Sequence, residues 1–326
     1  MKQTAFEARY AEDIARFERW LDAREAKRGA PPAGEPGLAD SEVPAAYRRL
    51  CQLLALARDR SYGGELVGRL NALVLRGHHL LYGARGGRSA RWLRFVAAEF
   101  PRLVRAEWKL VAACALMFFG PIAALMVALR VEPDFIYYIL DPGTVAQFEE
   151  MYAPGNPRLG LRESDDDLLM FAFYIWNNVK IGFQTFATGL AFGLGTAFYL
   201  LFNGVIIGAV AGYLTASGFA VPFWSFVSGH SAMELTAIVL SGAAGLKLGA
   251  ALIAPGGRSR KAALVLAAGP AVRIMYGAAL MFLVAAFIEG FWSPMALEPR
   301  LKYLVGGVMW LATLLYFALA GRGRGL

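Results

Sequence analysis

Long apolar segments dominate the second half of the chain. From Phe186 to Ala320 the sequence is mostly Ala, Gly, Leu, Phe and Val, and 57% of the 326 residues are hydrophobic. Because about 20 consecutive apolar residues are needed to cross a bilayer as a helix, segments of this length predict membrane spans. The sequence therefore predicts an all-α, polytopic helical membrane protein.

Six spans are expected, some of them short or re-entrant, at about 110–129, 184–202, 205–220, 231–253, 262–290 and 302–320. The stretch "FNG", which contains Asn203, is expected to form a tight turn between the second and third spans. The transmembrane domain then covers 108–326. Residues 1–107 are rich in charge and have helical apolar periodicity, which predicts a cytoplasmic amphipathic helical region.

The distribution of charge predicts the orientation. Basic residues gather before the first span, whereas the segment 131–167 that follows it contains nine acidic residues. By the positive-inside rule, both termini lie in the cytoplasm and 131–167 forms an outer acidic loop. The net charge of +8 is thus attributed to basic residues that set the membrane orientation and contact lipid headgroups. No nucleic-acid partner is expected.

Glycines recur at a spacing of four residues in the apolar segments. Small residues at this spacing let helix backbones approach closely in lipid. We interpret them as packing positions within one chain; the interface of a homodimer or other homo-oligomer is the alternative. The residues concerned are Gly189, Gly193, Gly204, Gly208, Gly212, Gly245 and Gly249.

A few polar side chains interrupt the apolar segments and form a predicted functional polar cluster. His230 and Glu234 are four residues apart, hence on one face of a helix, and the topology puts Glu289 at the same outer level. Arg273 is expected near the middle of the bilayer, where an arginine needs a partner such as a carboxylate. The remaining members of the set are Asn177, Asn178 and Asn203.

The chemistry of this set stays open between three interpretations. His230, Glu234 and Glu289 would supply the three protein ligands of a zinc site, although the H-E-x-x-H signature of zinc proteases is absent. The favoured interpretation is a structural or gating polar network, and the third is a substrate or proton path. Because no nucleophile motif, P-loop or dinucleotide fingerprint occurs, no catalytic residue and no cofactor is predicted.

Three stretches of the chain are distinctive: "NNVKIGFQTFATGLAFGLGTAFYLLFNGVIIGAVAGY" (177–213), "GHSAMELTAIVLSGAAGLKLG" (229–249) and "AAFIEGFWSP" (285–294). They resemble the stage II sporulation protein M family of bacterial membrane proteins. Residues 66–83 also resemble the cytoplasmic part of longer family members. The sequence departs from the resemblance at Ser231, where glycine is expected after the histidine.

The resemblance implies a multi-span protein of the bacterial inner membrane that takes part in cell-envelope remodelling. It would act as an anchor or scaffold for peptidoglycan-degrading partners rather than as the hydrolase, and protein partners are expected to dock on the cytoplasmic region. Two other functions stay open. One is a transporter or channel with a polar site at His230, Glu234, Arg273 and Glu289; the other is an intramembrane metal-dependent hydrolase.

Overall fold

A computed structural model describes residues 2–25, 38–39, 41–81, 88–154 and 164–323 of the chain. Every regular element in these residues is helical, and five helices are long and apolar enough to cross a membrane. The predicted all-α, polytopic fold is therefore confirmed. The chain divides into two compact units, the N-terminal unit (Met1–Ser89) and the membrane unit (Ala90–Leu326).

The N-terminal unit is built from three helices, α1 (Gln3–Glu25), α2 (Val43–Asp59) and α3 (Gly64–Leu81). Their apolar faces form a separate hydrophobic core, in which the largest fully buried side chains are Phe6, Phe17, Leu21 and Leu70. An exposed ion pair of 2.6 Å between Arg69 and Glu18 connects α3 to α1. An apolar stripe on one face and charge on the other is the pattern of helices that pack around one core.

The membrane unit contains nine further helices in the described residues. α4 (Arg88–Arg94) and α5 (Phe100–Ala106) are joined by a π-helical turn, and a 3₁₀ turn follows the first long helix. The helices from the first long one onward are α6 (Trp108–Val131), α7 (Pro142–Met151), α8 (Ser164–Ala187), α9 (Leu194–Ala216), α10 (Ala220–Ile253), α11 (Arg260–Phe287) and α12 (Pro299–Leu319). The five candidate spans are α6, α9, α10, α12 and α11 with its continuation to Trp292.

The predicted spans at 184–202 and 205–220 are not two separate helices, because α9 (Leu194–Ala216) runs without a break through the expected turn at 202–204, and residues 184–187 belong to α8. The side-chain amide of Asn203 donates back to the carbonyl of Tyr199 (2.7 Å), so its polar group is satisfied within the helix. The chain instead turns at Phe192 and Gly193, which have positive φ angles of 54° and 81°. The asparagine–glycine pair at 203–204, which predicts a turn, therefore lies within a helix that packing stabilises.

α8 is the sixth long helix of the membrane unit. It is 24 residues long but carries Asn177, Asn178 and Lys180, and it is not among the five apolar helices. It nevertheless packs within the bundle, where Gly182 lies against Phe282 of α11 and Ser241 of α10. Of these polar residues, Asn178 is buried inside the membrane bundle, whereas Lys180 is exposed.

The packing glycines lie at helix contacts within the chain. A Cβ atom at Gly204, Gly208 or Gly212 of α9 would clash with the backbone of α6 near Phe118, Ile122 and Leu125, respectively. Because these contacts advance together along both helices, α9 and α6 run parallel. Gly189 and Gly193 approach α10 at Gly245 and Gly249 in the same close way. The homodimer interface stays a prediction.

The two ends of the membrane unit differ in charge. One end carries the ion pair between Lys247 and Glu107 (2.5 Å), and the basic segments beside α6 and α11 lie there. The opposite end carries Glu289 and the acidic segment after α6. The two ends of the membrane unit are called below the Glu107 end and the Glu289 end. Residues 155–163 of the predicted acidic loop lie outside the described residues.

The membrane unit begins earlier than the predicted boundary at residue 108. Phe100 of α5 packs against Gly277 of α11 and against the ring of Phe317 in α12, with ring centroids 5.5 Å apart. Arg105 donates hydrogen bonds to the carbonyls of Phe317 and Ala320, at 2.6 and 2.7 Å. These contacts hold α5 against the bundle. The prediction assigned α5 to the cytoplasmic region because of its arginines.

Candidate functional site

Three potential metal ligands meet at the Glu289 end. His230 and Glu234 lie one turn apart on α10, and Glu289 lies in the π-helical turn Ile288–Trp292 that continues α11. One nitrogen or oxygen atom from each residue lies within 4.8 Å of the other two. Short π-helical segments widen a helix locally and are frequent at functional sites. His230, Glu234 and Glu289 are called below the triad.

The ring of His230 is buried and held from one side. His230 is 4% exposed, and its Nδ1 atom lies 3.0 Å from the hydroxyl of Ser293. Ser293 is itself fixed, because its carbonyl accepts a hydrogen bond of 2.7 Å from the ammonium group of Lys302 on α12. The second nitrogen, Nε2, is directed to Glu234 and lies 3.7 Å from its carboxylate, which is longer than a hydrogen bond.

α8 reaches the triad through two asparagines. The side-chain amide of Asn178 donates to the carboxylate of Glu289 at 3.4 Å, and Asn177 donates to Asn178 at 3.3 Å. Asn178 is buried. The polar residues that interrupt α8 therefore have a partner in the carboxylate of another helix, which is how a membrane bundle accommodates them.

Tyr152, which follows α7, is a further neighbour of the triad. It packs edge-on against the rings of Phe223 and Phe226 of α10. Burial raises the pKa of its phenol, and Tyr174, Glu289 and Glu234 raise that pKa further. Because Phe226 in turn packs edge-on against the ring of His230, Tyr152 belongs to the aromatic surroundings of the triad.

Ser231 has a structural role that explains why glycine is replaced there. Its hydroxyl accepts a hydrogen bond of 3.1 Å from the indole of Trp310 and donates to the carbonyl of Ser228. It lines a cleft of about 370 Å³ between α10 and α12. The hydroxyl thus joins the two helices beside His230.

The structure does not bring Arg273 or Asn203 to the triad. Arg273 is exposed on α11 about four and a half turns before Glu289, or roughly 24 Å along the helix axis. It lies one turn from Gly277, which contacts Phe100 of α5. Arg273 therefore lies far from Glu289, and its side chain donates to the carbonyl of Gly269 at 3.4 Å. Its expected place near the bilayer middle stays a prediction.

Three neighbours of the triad were missed from the sequence: Tyr152, Ser293 and Lys302. Each lies in or beside a segment that looks like an ordinary loop or helix start, and only the packing of α7, α11 and α12 against α10 brings them in. The strongest available signal was Lys302, because a lysine at the start of an apolar helix is unusual enough to suggest a partner.

The triad combines two acidic oxygens with one imidazole nitrogen. Among the described residues, His230 is the ionic partner that lies within 4 Å of Glu234. A buried group of this composition can hold a divalent ion or a shared proton, or it can serve as a polar lock between helices. The hydroxyl of Ser293 does lie beside a base, Nδ1 of His230, but Ser293 is only 1% exposed, so a substrate has no access to it as a nucleophile in this structure.

Comparison with protein families identifies both units. The family model "Stage II sporulation protein M" matches residues 111–294, which include the triad. A second model, a domain of unknown function (DUF8413), matches residues 4–83, which form most of the N-terminal unit. No curated protein and no solved structure matches the chain.

Proposed function

Because the chain belongs to the stage II sporulation protein M family, we propose that it is a non-enzymatic membrane scaffold of bacterial cell-envelope complexes. The membrane unit anchors the protein in the inner membrane, and the N-terminal unit binds a protein partner. The observation that carries this proposal is the self-contained N-terminal unit, which has its own hydrophobic core and its own family model.

The surface of the N-terminal unit suits docking. Its ion pairs are exposed, as between Arg16 and Glu42 (3.1 Å) and between Arg49 and Asp13 (3.6 Å). Exposed pairs of this kind contribute little to stability, about 0–1 kcal/mol each, so their charges remain available for complementary pairing with a partner.

The packing of the membrane unit supports an anchor more than a transporter. The glycine contacts of α9 with α6 and of α10 with the α8–α9 turn bring backbones together along the bundle. Arg273, which was the cationic part of the transporter hypothesis, is exposed on the outer surface of α11. The buried cation near the triad is Lys302, whose ammonium group is held by the Ser293 carbonyl at 2.7 Å as a contact between α12 and the turn after α11.

The orientation that we propose follows the charge of the two ends. The Glu107 end carries the basic segments and faces the cytoplasm, and the Glu289 end faces outward. The exposed Trp92 and Leu93, which lie between the exposed Arg91 and Arg94, suit the anionic inner surface of the bilayer.

A deletion of the N-terminal unit tests the scaffold function. In a host strain that lacks the gene, a chain without residues 2–83 should insert in the membrane at the level of the full chain but fail to restore the cell-envelope phenotype. Membrane level, measured by immunoblot of the membrane fraction, is the control for expression. Full restoration by the shortened chain would contradict the proposal.

One observation favours a metal-dependent hydrolase as the second candidate. Three protein ligands with a neighbouring hydroxyl group match the composition of catalytic zinc sites, which keep one position open for water. In that case, purified protein supplied with zinc should hydrolyse a peptide or ester substrate, and Glu234→Gln should abolish the hydrolysis while leaving the protein folded. Absence of turnover across both substrate classes would remove this candidate.

A further inference from the structure

We propose that the triad binds one divalent transition-metal ion, Zn²⁺ in the first instance, through Nε2 of His230 and one carboxylate oxygen each of Glu234 and Glu289. The site lies in the membrane unit at the Glu289 end. It does not depend on the scaffold function, since an ion at this position ties helices together whatever the protein anchors.

The spacing of the donor atoms fits an ion between them. In a tetrahedral zinc site with bonds of about 2.0–2.2 Å, the ligand atoms lie roughly 3.4 Å from one another. Nε2 of His230 and the carboxylate oxygen of Glu234 are 3.7 Å apart, and the three donor atoms lie within 4.8 Å of each other. Small side-chain rotations that bring the three donor atoms closer together would give this set the ligand spacing.

The histidine is arranged as metal-bound histidines are. A metal-bound imidazole uses one nitrogen for the ion and donates a hydrogen bond from the other, which fixes the ring. Ser293 occupies the acceptor position at Nδ1, at 3.0 Å, and the Lys302 ammonium group holds the Ser293 backbone in place. Nε2 of this nearly fully buried ring then presents a lone pair to Glu234.

The second carboxylate is also oriented. Asn178 donates to one carboxylate oxygen of Glu289 at 3.4 Å and so helps to fix the orientation of this group. Hydrogen bonds from outside the ligand set commonly fix ligating carboxylates in this way. The ion would thereby join α10 to the π-helical turn after α11, and through Asn178 it would join both to α8.

Charge and donor type select the metal. Two carboxylates and a neutral imidazole around a divalent ion give a group with no net charge, which suits a site within a membrane bundle. An imidazole ligand favours zinc or a related transition metal over calcium and magnesium, which prefer oxygen ligands alone. Three protein ligands leave a fourth position for a water molecule or another donor.

Metal binding by the full chain in detergent tests the proposal. The protein is purified without a histidine tag, stripped with a chelator and titrated with Zn²⁺ under a competing indicator dye. We expect about one equivalent of zinc bound with micromolar affinity or better, as for a site with three protein ligands. Glu289→Gln and His230→Gln should each weaken binding by about 100-fold or more, because they remove a direct ligand.

Matched variants control for unspecific binding. Glu298→Gln removes an exposed carboxylate near the same end, and His78→Gln removes an exposed histidine of the N-terminal unit. Both should bind zinc as the wild type does. A folded wild-type chain that takes up no zinc, or triad variants that bind it as tightly as the wild type, would overturn the proposal.

A measurement on the wild type alone decides the matter if the triad variants fail to fold. X-ray absorption at the zinc edge of the loaded protein should show one imidazole nitrogen and the remaining ligands as oxygen. A first shell of several imidazoles, or one that contains sulfur, would place the zinc elsewhere and would overturn the proposal.

Discussion

Nδ1 of His230 and the hydroxyl of Ser293 lie 3.0 Å apart, and this contact joins the middle of the family-matched α10 to the residue that follows the π-helical turn. Ser293 stands 63 residues beyond His230 in the sequence. The contact fixes the imidazole so that Nε2 faces Glu234. Ser293 therefore determines which nitrogen of the buried His230 ring faces Glu234.

Replacement of Ser293 tests the importance of this contact. Ser293→Ala leaves Nδ1 of a buried ring without its partner, so we expect a loss of about 1–3 kcal/mol of stability. Zinc affinity should fall by about 10–100-fold. Thermal unfolding in detergent and zinc titration measure the two effects. Ser225→Ala, whose hydroxyl bonds only within its own helix turn, is the control and should change neither.

Alanine substitutions at two glycines, one in α9 and one in α12, are predicted to have different effects on stability. A Cβ at Gly208 would lie 2.7 Å from the Cα atom of Ile122, so Gly208→Ala should destabilise the bundle by about 1–3 kcal/mol. A Cβ at Gly307 of α12 meets nothing within 4 Å, and Gly307→Ala should be neutral or stabilising. Unfolding midpoints in detergent compare the two. Equal effects would show that α9 and α6 are not in close contact.

Cysteine labelling distinguishes a continuous α9 from a turn at Asn203. In a background with Cys51 and Cys114 replaced, Asn203→Cys should resist a charged thiol reagent in opened membranes, because Gly204 next to it contacts the middle of α6. Arg258→Cys, in the exposed loop before α11, should react. Labelling of both positions at the same rate would contradict a continuous α9 and would support a turn at Asn203.

The proposed orientation is tested by labelling in intact cells. Glu298 is exposed at the Glu289 end, and Arg258 is exposed at the Glu107 end. An impermeant thiol reagent added outside should modify Glu298→Cys, whereas Arg258→Cys should react only after the membrane is opened. The reverse result would place the basic end outside, against the positive-inside rule.

The sequence predicted the fold class and the proximity of His230, Glu234 and Glu289, but not the residues that surround them. His230 and Glu234 could be paired from their spacing, and Glu289 could be placed beside them from the topology, because helix periodicity and span order are local information. Ser293 and Tyr152 reach the site only through tertiary packing, which no spacing encodes. Arg273 was grouped with the polar cluster, but it precedes Glu289 by about four and a half turns of α11, or roughly 24 Å, and does not reach the triad.

The predicted positions of the second and third spans are wrong where local propensity and packing disagree. An asparagine followed by glycine ordinarily indicates a turn, but Asn203 bonds within its helix and Gly204 packs on the backbone of α6. Conversely, the real turn at Phe192 and Gly193 lies in an apolar stretch that resembles a span. Asn178 of α8 has its partner, Glu289, on another helix, which the pattern of α8 alone does not indicate.

The most direct measurement is the metal content of the protein as isolated from its own membrane. Elemental analysis of the wild-type chain should find about one transition-metal ion per chain, as expected for a single site of three protein ligands. The Glu289→Gln variant, isolated in parallel, should contain essentially none, and Glu298→Gln should match the wild type. A wild-type protein that is folded and free of metal, or a Glu289→Gln variant with the same metal content, would contradict the assignment of the triad.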